Sequence, residues 1–371
     1  MAIGGGRDVK DIRKQAGQVL VGGFAGTTLD EAIRARLARG ELGGVILFAR
    51  NVGSLDEVRA LTEEVLSAAD RSRPPWISVD QEGGRVARLK APVIKLPPMR
   101  VLGEIDDVAL TERAARVLGR ELRALGFNWD FAPVLDVDTN PANPVIGDRS
   151  FSSDANRVAA HGVAFARGLL ASGIVPCGKH FPGHGDTDLD SHLALPRLRH
   201  DRARLDSVEL VPFRAAQNRI PTLMTAHVVF DAIDPDVPAT LSRTVIGGLL
   251  RDELGYDGLV VSDDLEMKAV SDRFAPDECA VRAIAAGCDT VLVCSKLDML
   301  ERAHEGLVRE AERSETFRAR LASAAAANTT LRRRFPPLGA AKAGPLAPHF
   351  GTEEALAVTE EIESRAGTKP H

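Results

Sequence analysis

The chain has 371 residues, enough for two average domains or for one large α/β barrel, which takes about 250 residues as a single unit. Its 44% hydrophobic content is ordinary for a protein with a substantial core. A net charge of -5 gives no electrostatic reason to expect nucleic acid or an anionic membrane as partner.

At the N-terminus, MAIGGGRDVKDIRKQ carries charges where a signal peptide needs a continuous apolar core. A cytoplasmic location is therefore expected. The longest apolar runs, such as GGVILFA at 43–49, are too short to span a bilayer. Eight short apolar, β-branched runs then alternate with helical patterns, the mark of βα units and a parallel sheet. The first two strand candidates are QVLVGGF (18–24) and GVILFA (44–49). After them SLDEVRALTEEVLSAAD begins a helix at Ser54, with Glu57 three residues on in capping-box spacing. WISVDQ (76–81) is the third strand. TERAARVLGRELRALG is a helix closed by a glycine and leads into the fourth strand, FNWDFAPVLDV (127–137). SSDANRVAAHGVAFARGLLASG, again ending at a glycine suited to a helix C-terminus, precedes GIVPCGKH (173–180). TLMTAHVVF (222–230) is followed by the helix SRTVIGGLLRDELG. GLVVSDD (258–264) and TVLVCS (290–295) complete the set.

Eight βα units predict one (β/α)8 TIM-type barrel over residues 1–334, whose chemistry gathers at the C-terminal ends of the strands. A doubly wound open sheet has less support, because no G-x-G-x-x-G opens a helix. Residues 335–371 change texture: a Pro-, Gly- and Ala-rich stretch, then an acidic segment. They predict a linker-like extension with a short peripheral helix or no structure. The four cysteines, Cys177, Cys279, Cys288 and Cys294, lack C-x-x-C spacing and read as small buried hydrophobes in a reducing compartment.

Polar residues do gather where the strands end: Asp80 after the third, DVDTNPANPVIGDRSF after the fourth, Lys179 and His180 at the fifth, Thr225 and His227 at the sixth, and Ser262, Asp263 and Asp264 at the seventh. Five strands marking one rim point to a site. The densest stretch is KHFPGHGDTDLDSH, Lys179 to His192, with three histidines and three aspartates in fourteen residues. Metal binding fits it poorly. A calcium loop counted from Asp186 would need Gly at its sixth position and Glu at its twelfth, where Ser191 and Arg197 stand. His180 and His184 would share a face only on a helix, and Pro182 with Gly183 lie between them. Proton transfer fits better. In an extended loop Asp190 and His192 point to one side. The carboxylate would then favour the charged imidazole and make His192 a general acid that later acts as base. Displacement at an anomeric carbon also needs a carboxylate nucleophile. Alternation along the seventh strand lets only one of Asp263 and Asp264 face the pocket, and periodicity does not choose between them.

The four stretches KHFPGHGDTDLDSH, DQEGGRVARL (80–89), NPANPVIGDRSF (140–151) and LLRDELGYDGLVVSDDLEM (249–267) together resemble glycoside hydrolase family 3. They are most similar to its single-domain bacterial β-N-acetylglucosaminidases of cell-wall recycling, and the resemblance spans roughly residues 15 to 300. It implies a (β/α)8 barrel without cofactor or metal. It makes Asp263 the nucleophile and Asp190 with His192 the acid/base dyad. Asp80, Arg88, Arg149, Lys179 and His180 match the positions that grip sugar hydroxyls. His184 is expected to organise its loop, and Met224 and His227 to line the pocket. The implied reaction is retaining removal of terminal β-GlcNAc from peptidoglycan fragments such as GlcNAc-β-1,4-anhydro-MurNAc.

Only two Trp and one Tyr speak against a long aromatic-lined polysaccharide cleft and for a single-sugar pocket. The expected partner is a small carbohydrate, not nucleic acid or membrane; a monomer is compatible with this, and the sequence leaves oligomeric state open. Two rivals remain. A neutral histidine base repels an anion less than a carboxylate would, so phosphate could replace water and yield GlcNAc-1-phosphate. A silent sugar-binding barrel is the other, opposed by the filled catalytic positions.

Overall fold

The computed structural model describes residues 5–191 and 193–366. Eight parallel strands close into a barrel in chain order: β1 (Leu20–Gly22), β2 (Gly44–Leu47), β3 (Trp76–Val79), β4 (Trp129–Asp130), β5 (Val175–Phe181), β6 (Thr222–Thr225), β7 (Leu259–Asp264) and β8 (Thr290–Val293). β1 closes the ring by pairing with β8, Leu20 opposite Val291. Seven strands fall inside the runs expected from their β-branched apolar residues and β5 runs one residue past its own, to Phe181; the expected barrel is the observed one.

Two elements depart from expectation. The fourth run pairs as regular strand over two residues only. Pro133 has no N–H to give, and beyond it the chain reaches β5 through single contacts, such as the Leu135 amide to the Lys179 carbonyl at 2.6 Å. The sixth run stops at Thr225, and Val229–Phe230 leaves the barrel to pair with Arg197–Leu198.

The helices start and stop as their end residues dictate. Ser54 Oγ accepts from the Glu57 amide at 3.3 Å and Glu57 Oε2 accepts from the Ser54 amide at 2.7 Å, a closed capping box. Gly126, Gly173 and Gly255, which follow the three helices expected to end at glycine, all have positive φ.

Two apolar layers hold the ring. Strand residues pointing outward meet the helices, while Val21, Ile46, Trp76, Trp129, Phe131, Val175, Cys177, Met224, Leu259, Val261, Leu292 and Cys294 fill the lumen. This is period-two alternation closed into a cylinder. Both tryptophans stand in the lumen, with ring centroids 4.5 Å apart. Trp76 Nε1 donates to Asn328 Oδ1 and Trp129 Nε1 to Thr222 Oγ1, each at 3.0 Å, so neither indole N–H is stranded. Asn328 belongs to the helix Glu315–Arg334, which stops the N-terminal end of the barrel. All four cysteines are buried free thiols, as their surroundings in the sequence predicted.

The C-terminal stretch is more ordered than a linker. Its helix Glu353–Ala366 buries Ala355, Val358 and Ile362, and Arg113, Arg120 and Arg365 form ion pairs between it and residues 107–120. Among the described residues no helix is long and apolar enough to cross a membrane.

Candidate active site

The C-terminal strand ends surround a cavity of about 190 Å³, below the roughly 300–1,000 Å³ of pockets for drug-sized ligands. Its floor is the top of the lumen layer: Ile46, Phe131, Met224, Leu292 and Cys294. Its wall is polar. Asp80, with Glu82 and Arg88 from the hairpin that follows, stands on one side, and Arg149 comes from the loop after β4. Lys179 and His180 end β5, His184 and Ser191 follow it, and Asp263 and Asp264 end β7.

Seven of the nine expected site residues are therefore together: Asp80, Arg88, Arg149, Lys179, His180, Met224 and the expected nucleophile Asp263. Asp190 is half-buried beside Ser191. His192 lies outside the described residues. The Asp190 carbonyl accepts from the amides of Leu193 and Ala194 at 2.9 and 3.0 Å. His227 stands behind the wall, bonded to Thr240 Oγ1 and the Asp264 carbonyl.

A buried charge cluster sets the geometry. Lys179 Nζ lies 2.8 Å from Asp80 Oδ1 and 2.6 Å from Glu82 Oε1. Arg149 takes Glu82 in two bonds, Nε to Oε2 at 2.9 Å and Nη2 to Oε1 at 2.8 Å, the fork pairing that fixes direction as well as distance. Arg88 Nη2 approaches Asp80 Oδ2 at 3.5 Å. Burial alone would push the Glu82 carboxyl up, but Arg149 and Lys179 beside it hold it well below the usual carboxylate range. The same carboxylates raise Lys179 and Arg149 despite burial. All three stay charged, aimed into the cavity mouth. Asp130, one strand over, has no such compensation: burial raises it well above the ordinary value, although the Gln81 amide donates to it.

The loop after β5 hangs on Asp136. Its carboxylate accepts from His180 Nδ1 at 2.6 Å and from the amides of His180 and His184 at 3.1 and 2.7 Å. His184 in turn bonds Thr187 Oγ1 and Ser191 Oγ. Burial and nearby His180 lower its pKa to about 4, so it is a neutral organiser of the loop, as expected. Gly185 lets this loop touch the segment after β4: a Cβ there would lie 1.9 Å from the Val137 carbonyl oxygen. Asp186 is tied to Thr139 and His200. Among the described residues no three His, Cys, Asp or Glu side chains are grouped to hold a metal ion.

The end of β7 corrects the alternation expectation. Both Asp263 and Asp264 line the cavity, because the register against β8 shifts between Val261 and Asp264. They differ in environment. The Asp264 amide donates to Asp263 Oδ1 at 2.8 Å. The Asp264 carboxyl accepts from the amides of Glu266 and Cys294, and burial pushes its pKa up to about 7, with Glu266 and Asp263 adding to the shift.

Residues 11–326 match the model described as Glycosyl hydrolase family 3 N terminal domain. The chain belongs to glycosyl hydrolase family 3. A β-hexosaminidase of Alkalilimnicola ehrlichii is 44% identical over 74% of this chain and 80% of its own length. One from Chromobacterium violaceum is 42% identical over 74% and 77%. Among solved structures, a family 3 β-N-acetylglucosaminidase from Paenibacillus sp. superposes with a TM-score of 0.88 at 40% identity, covering 95% of this chain and 68% of that one. NagZ from Neisseria gonorrhoeae, in complex with N-trifluoroacetyl-D-glucosamine, gives 0.76 at 31%, covering 95% and 98%. The family 3 chain is thus a glycoside hydrolase of the β-hexosaminidase type.

Two residues of this site escaped the sequence reading, Glu82 and Asp136; Asp264 was weighed only as the alternative to Asp263. Glu82 was legible in retrospect, since it stands two residues after Asp80 and so on the same face of an extended arm. Asp136 stood in a run otherwise read as apolar strand.

Proposed function

We propose that this hydrolase is an exo-acting, retaining β-N-acetylglucosaminidase. The observation that carries the reading is Asp263 in one small cavity with the Asp80–Arg88–Glu82–Arg149–Lys179–His180 cluster. Charged donors and acceptors of that kind hold sugar hydroxyls with charge-assisted bonds. In the proposed reaction Asp263 attacks the anomeric carbon and the Asp190–His192 dyad protonates the departing oxygen. His192 then takes a proton from the incoming water as the glycosyl-enzyme is hydrolysed. The amide of Asp264 orients the attacking carboxylate. The small cavity supports removal of one terminal residue, and the β-hexosaminidase relatives support GlcNAc as that residue. Muropeptide fragments in the cytoplasm are the substrate we assign.

The test is hydrolysis of p-nitrophenyl-β-GlcNAc by wild type, Asp263→Ala and His192→Ala, with the anomer of the first product read by NMR. First-formed β-GlcNAc and a large loss in both variants are expected; α-GlcNAc as first product would refute retention. Running it in phosphate and in a phosphate-free buffer separates hydrolysis from formation of GlcNAc-1-phosphate. Cleavage of the chromogenic substrate with GlcNAc-anhydro-MurNAc left intact would refute the muropeptide assignment.

A further inference from the structure

The hairpin after β3 is a wall with two faces. Asp80, Glu82, Val86 and Arg88 line the sugar cavity, while their neighbours Gln81, Gly83, Ala87 and Leu89 line a second cavity behind it. That cavity measures about 350 Å³, inside the range of ligand pockets. Its far side is apolar, formed by Val93, Ile94, Leu96 and Leu118. Two exposed lysines, Lys90 and Lys95, are the charged residues that line it, and neither has an acidic partner among the described residues.

Behind Ile94 stands Glu121, 1% exposed. Its Oε2 accepts from the Ile94 amide at 2.6 Å, while Oε1 has no partner among the described residues. Burial pushes this carboxyl up to about 7, so only below neutral pH is it mostly the uncharged acid. We propose that this cavity binds an aliphatic carboxylate, its chain among the apolar residues and its head between Lys90 and Lys95, and that occupancy is felt in the sugar cavity. The coupling has a physical route. Gln81 Oε1 accepts from the amides of Arg88 and Leu89, and its Nε2 donates to the Leu89 carbonyl. The two arms of the hairpin therefore shift together, carrying Asp80, Glu82 and Arg88 with them.

The probe is octanoate, followed by calorimetry on the full chain, with octylammonium and octanol as controls. Saturable one-to-one binding of octanoate is expected, weaker by about tenfold in Lys90→Glu/Lys95→Glu and abolished in Ala87→Phe, which fills the cavity. The lysine variant leaves basal hydrolysis unchanged and, being at the surface, folds normally. No saturable binding, or equal binding of octanol or octylammonium, overturns the site. The coupling rests on the proposed sugar reading and is read separately, as a shift of at least about twofold in KM for p-nitrophenyl-β-GlcNAc at saturating octanoate. Binding with unchanged KM overturns the coupling, and the calorimetry stands whatever the sugar specificity.

Discussion

Glu82→Gln is the most informative single change, because it alters one charge and almost no volume. Glu82 is 2% exposed and faces two cations, Lys179 at 2.6 Å and Arg149 through a two-bond fork. Removing one partner from a buried ion pair costs about 3–5 kcal/mol, since the charge left behind is unsolvated. Here Asp80 still holds Lys179 at 2.8 Å, which argues for the lower end, about 3 kcal/mol. For a chain of 371 residues that corresponds to a fall in Tm of about 4 °C. The pH dependence gives a second check. The folded carboxyl titrates below its unfolded value, so its contribution is present above about pH 4.3 and fades as pH falls through the folded pKa. The stability gap between wild type and variant, from urea midpoints, is thus flat from pH 7 to 5 and narrows toward pH 3. A loss under about 1 kcal/mol, in the range of exposed pairs, or a gap that stays constant to pH 3, would show that the cluster is not charged and buried as argued.

Asp263→Ala is expected to lower kcat for p-nitrophenyl-β-GlcNAc by at least about a thousandfold, with azide restoring part of it; unchanged turnover would move the nucleophile elsewhere. Arg149→Ala should raise KM and lower kcat together, because it both binds and aims Glu82, and a pure kcat effect with unchanged KM would contradict a role in gripping the sugar. His184 carries a depressed pKa of about 4, so the stability it confers is complete above about pH 6.5 and drains as pH falls toward 4. His184→Gln should flatten that part of the urea-midpoint profile, and an unchanged slope would count against a buried neutral ring. Asp264 is shifted the other way, to about 7. Asp264→Asn should therefore gain stability relative to wild type as pH rises from 4 to 7, and a constant difference would argue against a buried carboxylic acid there.

The barrel was legible because strand and helix periods alternate eight times and the polar residues cluster at one end of the strands. The grip on the cavity was legible from types and motif positions: Asp80, Lys179 and His180 sit where strands stop. What strict alternation missed has one physical origin. Irregular pairing near Lys179–Phe181 and Val261–Asp264 brings successive residues to one side, so Lys179 and His180, and likewise Asp263 and Asp264, face the cavity together. Period-two reasoning cannot foresee a register shift. Asp136 was hidden differently. Its role is set by the amides of His180 and His184, about 44 residues later in the chain, and no local pattern announces a long-range acceptor.

The lumen of this barrel is sealed at its base by Trp76, Trp129 and the helix Glu315–Arg334. Nothing can therefore enter or leave the strand-end cavity through the base of the barrel. In the proposed retaining reaction a leaving group beyond the terminal sugar stays outside and departs first, while the sugar on Asp263 waits deeper in. On that reading free monosaccharide is the last product out and occupies the place the next substrate needs, so it is expected to inhibit competitively.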